Sequence, residues 1–470
     1  MAKLNIDTFK GINTFTSDAL IKPSEAVDVR NIQIEDGELK RGKGIAKKFV
    51  GKLASKIETL MVFYNTNTPT ILAAAGGKIY KMGDIPVEIA SGFSNNKFDY
   101  VNFQVASNPV LIFNNGVDPI KVYDGSTVRD LKYKGHSSTE ATDNKAPKGK
   151  YLELHYGRVW TTKDSMVFFS TSNSNGFDPD DWTIPIDPDG IETNQHGGFI
   201  DIPTHDGGKI KGLHNIFDDI IVFKDRNIFK ILGTYPGEYE MKRLFSTNGA
   251  ISDRSICVNE NAAYFLENDG IYTYNGSSVD KISFAIDYLF KNLNPSYIEN
   301  SCGVIHNNTY YLAVPYGDSL INNLIIEYNF VTKDFTIKNG ITVESFLKLD
   351  NELLFSDVSG YVFKYDVGDN YDGMQIHSYW ENGFVDMGIK DAVKRTDRLY
   401  FIGSGNGDIK ISVITDNTTK FKIVTLTDQE RVYRPKISNK GRIIKLRFEN
   451  IDGSDFTIKK PELNVEVDYD

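Results

Sequence analysis

The chain has 470 residues, of which 40% are hydrophobic and 12% aromatic, enough for one large core or for two domains. Its 53 Lys and Arg against 63 Asp and Glu give a net charge of −10, which argues against a protein that grips nucleic acid along its whole surface. Two cysteines, Cys257 and Cys302, form neither a disulfide framework nor a CxxC metal site, so we expect buried strand thiols.

The chain begins with MAKLNIDTFKG, which lacks the apolar core of a signal peptide, and no run of about 18 apolar residues follows anywhere. We therefore expect neither ordinary secretion nor a membrane span. Residues 1–52 resemble neither of the two patterns that follow. We predict an extended N-terminal arm with one short hairpin at Asp36-Gly37.

A hairpin phrase recurs along the next three hundred residues. VYDGSTVRDL begins at Val122 and TYNGSSVDKI at Thr273, and each predicts two strands joined by a tight Asp-Gly or Asn-Gly turn. Related phrases begin at Gly76, Asp118, Asp269 and Ser359, with weaker ones at Tyr156, Asp225 and Leu324. Apolar runs typical of buried strands precede several of them.

One aromatic residue can be taken from each repeat: Tyr80, Tyr123, Trp160, Phe229, Tyr272, Tyr328 and Phe363. Their mean spacing is about 47 residues, within the range of four-stranded propeller blades. We therefore predict an all-β fold with a six- or seven-bladed β-propeller over residues 53–371. An irregular pair of β-sandwiches is the alternative, but it gives no reason for a repeated aromatic-turn phrase.

Two features interrupt the repeats. Residues 172–208 form a long insertion, and between Asp178 and Asp206 it has no Lys or Arg and eight acids: Asp178, Asp180, Asp181, Asp187, Asp189, Glu192, Asp201 and Asp206. The segment starting at Phe284 predicts a helix, because Ile286, Leu289, Phe290 and Leu293 share one face and Pro295 ends it.

From residue 372 to 470 the strands alternate more strictly and lack the repeat phrase, which predicts a C-terminal antiparallel β-sandwich. Charge is segregated along the chain. Seven basic residues without an acid lie between Lys40 and Lys56 (Lys40, Arg41, Lys43, Lys47, Lys48, Lys52, Lys56) and seven more between Arg431 and Arg447. These blocks are either solvated faces or surfaces on which copies of the chain meet, basic against acidic.

No motif predicts catalysis. The paired carboxylates of a glycosidase occur only in the Pro- and Gly-rich acidic loop, which has no arginine cluster beside it. DPDGIET at Asp187 has a fragment of the calcium-loop pattern without its distant acid, and His205-Asp206 lies in a turn. HExxH, GxxxxGK[ST] and GxSxG are absent from the sequence. We therefore predict no enzyme, no catalytic residue, no cofactor and no metal.

Several long phrases resemble one family. They are the arm FKGINTF…EAVDVRNIQIEDGELKRGKGIAKKF, the stretch YGRVWTTKDSMVFFSTSNSNGFDPDDW, the helix phrase DKISFAIDYLFKNLNPSYIENSCGVIHNNTYYLAVP and the closing DRLYFIGSGNGDIKISV…RVYRPKISNKGRIIKLRF. In order and character they are similar to the packaged-DNA stabilisation proteins, the tail nozzle of short-tailed bacteriophages. The resemblance covers nearly the whole chain.

The resemblance implies a structural virion protein, assembled in the host cytoplasm. It implies a homo-oligomeric ring, with six copies expected, below the portal and its adaptor ring. The other expected partners are tail proteins (fibre, needle or knob) and double-stranded DNA, which passes through the ring without sequence readout. A weakly acidic or neutral bore would let DNA slide, whereas a basic lining would hold every phosphate.

Two other classes remain open from the sequence. A receptor- or carbohydrate-binding propeller at the tail tip would expose aromatic platforms at the propeller mouth. A glycosidase would need two carboxylates about 5–9.5 Å apart in a pocket.

Overall fold

The computed structural model describes residues 2–15, 21–65, 68–105, 108–131, 147–172, 182, 197–202, 208–244, 248–260 and 262–468. Strands dominate these ranges. The helical elements described are the single α-helical turn α1 (Asp287–Phe290) and the 3-10 turns Pro236–Glu238, Asp253–Ser255, Phe284–Ile286 and Ile298–Asn300. In the described part of the chain, no helix is long and apolar enough to cross a membrane.

Five strands precede the repeats: β1 (Ala2–Asn5), β2 (Ala26–Arg30), β3 (Ile32–Glu35), β4 (Glu38–Arg41) and β5 (Ile45–Lys47).

The repeat region contains β6 (Thr59–Tyr64), β7 (Pro69–Ala75), β8 (Lys78–Lys81), β9 (Val87–Ser91), β10 (Asp99–Val105), β11 (Asn108–Asn114), β12 (Lys121–Tyr123), β13 (Val128–Asp130), β14 (Leu152–His155), β15 (Arg158–Lys163), β16 (Met166–Phe169), β17 (Gly198–Asp201), β18 (Ile210–Ile216), β19 (Asp219–Lys224), β20 (Ile228–Leu232), β21 (Glu240–Arg243), β22 (Cys257–Asn259), β23 (Ala262–Glu267), β24 (Gly270–Tyr274), β25 (Val279–Lys281), β26 (Cys302–His306), β27 (Thr309–Val314), β28 (Leu324–Asn329), β29 (Phe335–Asn339), β30 (Ser345–Leu349), β31 (Glu352–Ser356) and β32 (Val362–Tyr365).

The remaining strands are β33 (Tyr379–Asn382), β34 (Val393–Gly405), β35 (Asp408–Thr415), β36 (Thr419–Thr425), β37 (Arg431–Tyr433), β38 (Lys440–Gly441), β39 (Ile444–Asn450) and β40 (Phe456–Asp468).

Four-stranded antiparallel sheets follow one another along the repeat region. Among the described strands, sheets one to six are β6–β9, β10–β13, β14–β17, β18–β21, β22–β25 and β26–β29, each in sequence order. The seventh sheet is β30-β31-β32-β5, so its outermost strand comes from the N-terminal region. There Ala46 of β5 lies opposite Lys364 of β32. A strand from the N-terminal region, β5, thus completes the last sheet of the repeat region.

The first strand of each sheet lies next to the first strand of its neighbours. β6 contacts β10, β10 contacts β14, β14 contacts β18, β22 contacts β26, and β30 contacts both β26 and β6. Between the fourth and fifth sheets, Ile216 and Ile221 pack in one core with Ile256 and Ala263. Contacts therefore run from each sheet to the next and from the seventh sheet back to the first, and we call this series of sheets the circuit. This confirms the prediction of an all-β, propeller-like fold.

The other two sheets combine strands from both ends of the chain. One has the order β3-β4-β40-β34-β37, with β1 on β40 and β38 on β34, and the other has the order β2-β33-β39-β35-β36. Buried residues from both sheets, such as Leu39, Ile458, Trp380 and Phe448, belong to one apolar cluster.

The predicted N-terminal arm is not a separate extended segment in the structure. β1 to β4 pair within the two terminal sheets, while β5 completes the seventh sheet. The physical reason is apolar alternation: Val29, Ile32 and Leu39 are buried against the C-terminal strands. The hairpin predicted at Asp36-Gly37 is confirmed, because β3 and β4 pair around these two residues and both have positive φ.

The repeated phrase forms the last hairpin of a sheet, with a turn longer than predicted. Tyr123 lies opposite Val128, so four residues rather than two make the turn. In it, Asp124 accepts hydrogen bonds from the backbone N–H of Ser126 (2.8 Å) and Thr127 (2.7 Å). The TYNG copy repeats this geometry: Asn275 accepts bonds from Ser277 and Ser278, and Tyr274 lies opposite Val279. The Asp or Asn caps the turn through its side chain.

The helix predicted near Phe284–Leu293 is present as a 3-10 turn followed by α1. Ile286, Leu289, Phe290 and Leu293 are all buried, as the pattern indicated. They belong to the same apolar cluster as Trp380 of the terminal sheets. The short helix therefore packs between the circuit of sheets and the terminal sheets.

Candidate functional site

The first strands of the seven sheets begin around one point of the circuit, which we call the channel mouth. A cavity of about 190 Å³ lies there. All seven sheets contribute to its lining at or beside the start of their first strands: Leu60, Asp99, Tyr151, Gly212, Ile256, Cys302 and Ser345. The cavity is smaller than the ~300–1,000 Å³ of ordinary ligand pockets.

Arg254 spans the channel mouth. Its Nη1 donates to the carbonyl oxygens of Glu58 (2.8 Å) and Glu344 (2.9 Å), and its Nη2 donates to that of Asn300 (3.3 Å). These carbonyls precede the first strands of the first, seventh and sixth sheets, while Arg254 itself precedes that of the fifth. One guanidinium therefore links four sheets at the channel mouth.

Two lysines lie beside Arg254. Lys97 donates to Asn300 Oδ1 (2.5 Å), and burial together with the Arg254 charge lowers the pKa of Lys97. Lys150 pairs with Asp253 (2.7 Å), which also accepts from the Tyr151 hydroxyl (3.3 Å). Burial alone would raise the pKa of Asp253, but Lys150 and Arg254 outweigh it and the pKa is lowered. The mouth is thus filled by a polar network.

Two carboxylates of the inner strands join neighbouring sheets. Asp99 accepts a hydrogen bond from the backbone N–H of Leu152 (2.8 Å), and Glu153 accepts one from that of Asn215 (3.1 Å). Burial raises the pKa of Asp99 to about 6 and that of Glu153 to about 7. Burial also lowers the pKa of His214, 3.9 Å from Glu153, to about 4. At neutral pH His214 is therefore uncharged.

A second buried network closes the seam between the sixth and seventh sheets. Lys338, only 1% exposed, lies between Asp366 (2.5 Å) and Glu327 (3.7 Å). Glu327 also accepts from the Tyr365 hydroxyl (2.6 Å). Burial raises the pKa of Glu327 and Asp366 adds to the rise, while Lys338 opposes it. The two carboxylates hold a lysine, so they lack the open space of a glycosidase pair.

A lysine-lined cleft of about 860 Å³ adjoins the channel mouth and shares Lys150 and Tyr151 with it. Its lysines come from the second to fourth sheets and their connections: Lys148, Lys150, Lys163, Lys209 and Lys211. Its carboxylates are Asp164, Asp225 and Glu299. Sequence reasoning did not find this cleft, because its lysines are scattered over more than sixty residues and only the curvature of the circuit brings them together.

The three charge blocks predicted from the sequence differ in how far the structure describes them and in the ion pairs they form. Most of the acidic block (Asp178, Asp180, Asp181, Asp187, Asp189, Glu192 and Asp206) lies outside the described residues, as does His205. Asp201 lies on β17 and accepts from the Ser165 hydroxyl (3.1 Å).

The Lys40–Lys56 block forms ion pairs within the chain. Lys40 pairs with Glu35, Arg41 with Asp455, Lys47 with Asp372, Lys48 with Glu352, and Lys56 with Glu58 and Glu344. In the Arg431–Arg447 block, Lys436, Lys445 and Arg447 have carboxylate partners. Within the described ranges no carboxylate pairs with Arg431, Arg434, Lys440 or Arg442. The second block therefore keeps more charge for an outside partner.

The two cysteines are free thiols on β22 and β26; Cys302 is buried, as predicted, whereas Cys257 is partly exposed. Burial raises the pKa of the Cys302 thiol to about 11, and the pKa of Cys257 rises for the same reason. Across the described ranges, no group of three His, Cys, Asp or Glu side chains could hold a metal ion.

No protein-family profile and no curated protein matches the chain. Among solved structures, it is similar to the extracellular domain of a one-component system from B. thetaiotaomicron, at 10% identity and a TM-score of 0.47 over 90% of this chain and 61% of that one. BamB from Moraxella catarrhalis (9% identity, TM-score 0.39, 78% of this chain, 98% of that one) and Saccharomyces cerevisiae Sqt1 (10%, 0.38, 69% and 98%) are also similar. Since no TM-score quoted reaches 0.5, we draw no functional conclusion from these likenesses.

Proposed function

We propose that the chain is a structural subunit of a bacteriophage tail, forming a nozzle ring below the portal and adaptor that retains packaged DNA and conducts it during ejection. The observation that carries the proposal is the resemblance of the arm, repeat, helix and closing phrases to the packaged-DNA stabilisation proteins. The expected partners are further copies of the chain, with six in a ring, the adaptor, neighbouring tail proteins and duplex DNA. The expected location is the virion tail.

The finer architecture belongs to the same proposal. The seven sheets are the blades of a seven-bladed propeller, closed by β5, and the two terminal sheets are a β-sandwich. The common apolar cluster of Leu266, Leu312, Trp380 and Phe448 supports a single rigid block, because it joins repeat strands to terminal strands. A rigid block suits a protein that must withstand the pressure of a filled head.

The channel mouth supports a structural role over an enzymatic or carbohydrate-binding one. Arg254 and the Lys150–Asp253 pair occupy it, and its carboxylates bond to backbone or lysine. Of the four aromatic residues that line the mouth, Phe98 and Tyr151 are buried and Tyr100 and Phe346 are partly buried, so none of the four is an exposed sugar platform. DNA would then pass through the ring of subunits and not through the axis of one propeller.

The ring is testable with purified protein. We expect mass photometry to show a species of about six times the 52.9 kDa chain mass, and negative-stain images to show closed rings with a bore wide enough for duplex DNA. A monomer at every concentration, with release of sugar from host polysaccharide, would instead identify a tail-tip enzyme. A monomer that binds host polysaccharide without cleaving it would identify a receptor-binding propeller.

A further inference from the structure

The lysine-lined cleft beside the channel mouth has more positive charge than its own carboxylates neutralise. Lys150 pairs with Asp253, and Lys211 pairs with both Asp225 (3.4 Å) and Glu299 (3.2 Å). Asp225 and Glu299 are therefore both committed to Lys211. The lining is left with Lys148, Lys163 and Lys209 against a single further carboxylate, Asp164.

Those three lysines are exposed, and no ion pair joins them to any carboxylate among the described residues. The next cations inward are Lys97 and Arg254 of the channel mouth, whose side chains donate to amide and carbonyl oxygens of Asn300, Glu58 and Glu344 and have Asp253 as a nearby carboxylate. Like charges in one concavity repel, and an anion between them relieves that repulsion. This concentration of exposed lysines without a carboxylate partner in the described structure occurs in a chain whose net charge is −10.

The size and chemistry of the cleft indicate which anion fits. Its volume of about 860 Å³ lies within the ~300–1,000 Å³ range of ligand sites, well above that of a single small ion. Lysine ammonium groups act as point charges toward phosphate and require no fixed plane, unlike the planar arginine fork, which pairs bidentately with carboxylate or phosphate. Spread across a wide cleft, three such groups match an anion with several phosphates.

We propose that this cleft binds the phosphate oxyanions of a polyanion, with Lys148, Lys163 and Lys209 as the contacting residues. The source is either the backbone of duplex DNA or a free polyphosphate, which share this chemistry. With about three phosphate contacts, binding to DNA is weak and strongly salt-dependent. The contact would slow a DNA strand without locking it.

The test is fluorescence anisotropy of a short, mixed-sequence DNA duplex with the full chain and with K148Q/K163Q/K209Q. The control K81Q/K291Q/K390Q removes the same charge from exposed lysines that also have no ion pair in the described structure. We expect the cleft variant to weaken binding by about tenfold or more and to reduce the slope of log affinity against log salt by about three. The DNA affinity of the control variant should stay within about twofold of the wild-type affinity, a margin that covers the general effect of lower net positive charge.

Tripolyphosphate separates the two sources. Tripolyphosphate should displace DNA from the wild-type chain and raise the Tm of the wild-type chain. It should not raise the Tm of the cleft variant. Stabilisation by tripolyphosphate without DNA binding would assign the cleft to free polyphosphate. Equal loss of DNA binding in both triple variants, or no binding of either probe, would overturn the proposal. Ring mass measured on the same samples keeps this result separate from the proposed tail function.

Discussion

Glu153 accepts a hydrogen bond from the backbone N–H of Asn215 at 3.1 Å, which ties the first strand of the third sheet to that of the fourth. Asp99 makes the same link one sheet earlier, through the N–H of Leu152. Each carboxylate therefore sits between two inner strands, where burial disfavours its charged form.

The first prediction concerns the pH dependence of these links. Both carboxyls have folded pKa values, about 6 and about 7, above their ordinary values. Their contribution to the free energy of unfolding is therefore fully present below about pH 4 and is lost progressively as pH rises from there through about 6 to 7. The variant D99N/E153Q keeps an acceptor oxygen at each position. It should gain stability relative to wild type between pH 5 and pH 8 by about 4 kcal/mol, because the loss in wild type spans about one pH unit for Asp99 and about two for Glu153.

The test compares the free energy of unfolding of wild type with that of D99N/E153Q. The comparison is needed because burial lowers the pKa of His155, His214 and His306, and these three groups make both proteins more stable as pH rises. Urea unfolding at pH 5 and pH 8 measures both free energies. Parallel pH profiles for wild type and D99N/E153Q would show that neither carboxyl is strained in the folded state.

The second prediction concerns Lys338. K338M leaves the largely buried Glu327 and the partly buried Asp366 without their cation, so it should cost about 3–5 kcal/mol in the free energy of unfolding. Part of the loss should return at low pH, when Glu327, whose pKa burial raises, takes up a proton. The control K364M removes a half-exposed partner of Glu352 and should cost only about 0–1 kcal/mol. Equal losses in the two variants would contradict the network.

The third prediction concerns the closing strand β5. A Cβ at Gly44 would lie 2.0 Å from the carbonyl oxygen of Asn370, whereas a Cβ at Gly83 meets nothing nearer than 3.9 Å. G44A should therefore displace β5 from β32 and destabilise the chain by about 2 kcal/mol or more. G83A should be within about 0.5 kcal/mol of the wild type. Hydrogen exchange at Lys364, opposite Ala46, should rise in G44A alone.

The fourth prediction concerns assembly. The Lys40–Lys56 block is largely neutralised inside the chain, so the Arg431–Arg447 block is the better partner for the acidic segment of a neighbouring subunit. Reversing Asp178, Asp180, Asp181, Asp187 and Asp189 to Lys should leave the monomer folded but impair ring formation or docking to the tail. Reversing Arg431, Arg434, Lys440 and Arg442 to Glu should do the same.

Each exposed pair contributes only about 0–1 kcal/mol, so single reversals should have little effect. Assembly of the wild type should weaken as salt rises, since the field is screened over about 8–10 Å at ordinary ionic strength. Rings that form normally from the reversed chains, at every salt concentration, would show that the blocks are solvated faces.

Most of the repeat architecture could be predicted from the sequence. Each of the seven aromatic residues chosen from the repeats lies in a different sheet, and six of them are on the third strand. The exception is Trp160, on the second strand of the third sheet, where Phe169 occupies the third-strand position. Because the set contains Trp160 in place of Phe169, the spacing between the chosen aromatic residues is too short before the third sheet and too long after it, where the acidic insertion lies.

What the sequence could not predict depends on contacts between distant segments. β5 joins β32 across more than three hundred residues, and Arg254 bonds to carbonyls of three other sheets. Neither contact leaves a local periodicity. The long turn after Tyr123 was mispredicted because Asp-Gly usually marks a two-residue turn, whereas here the Asp124 side chain caps a four-residue one.

The most direct test of the central claim is genome retention in particles assembled without this protein. In a phage that encodes the chain, an amber mutation in its gene should yield heads that package DNA and then lose it, and added purified protein should restore DNA-filled, infectious particles. Antibody labelling should place the protein at the tail of wild-type virions. Filled, stable heads in the mutant, with failure only at host attachment, would contradict a nozzle and indicate a receptor-binding protein.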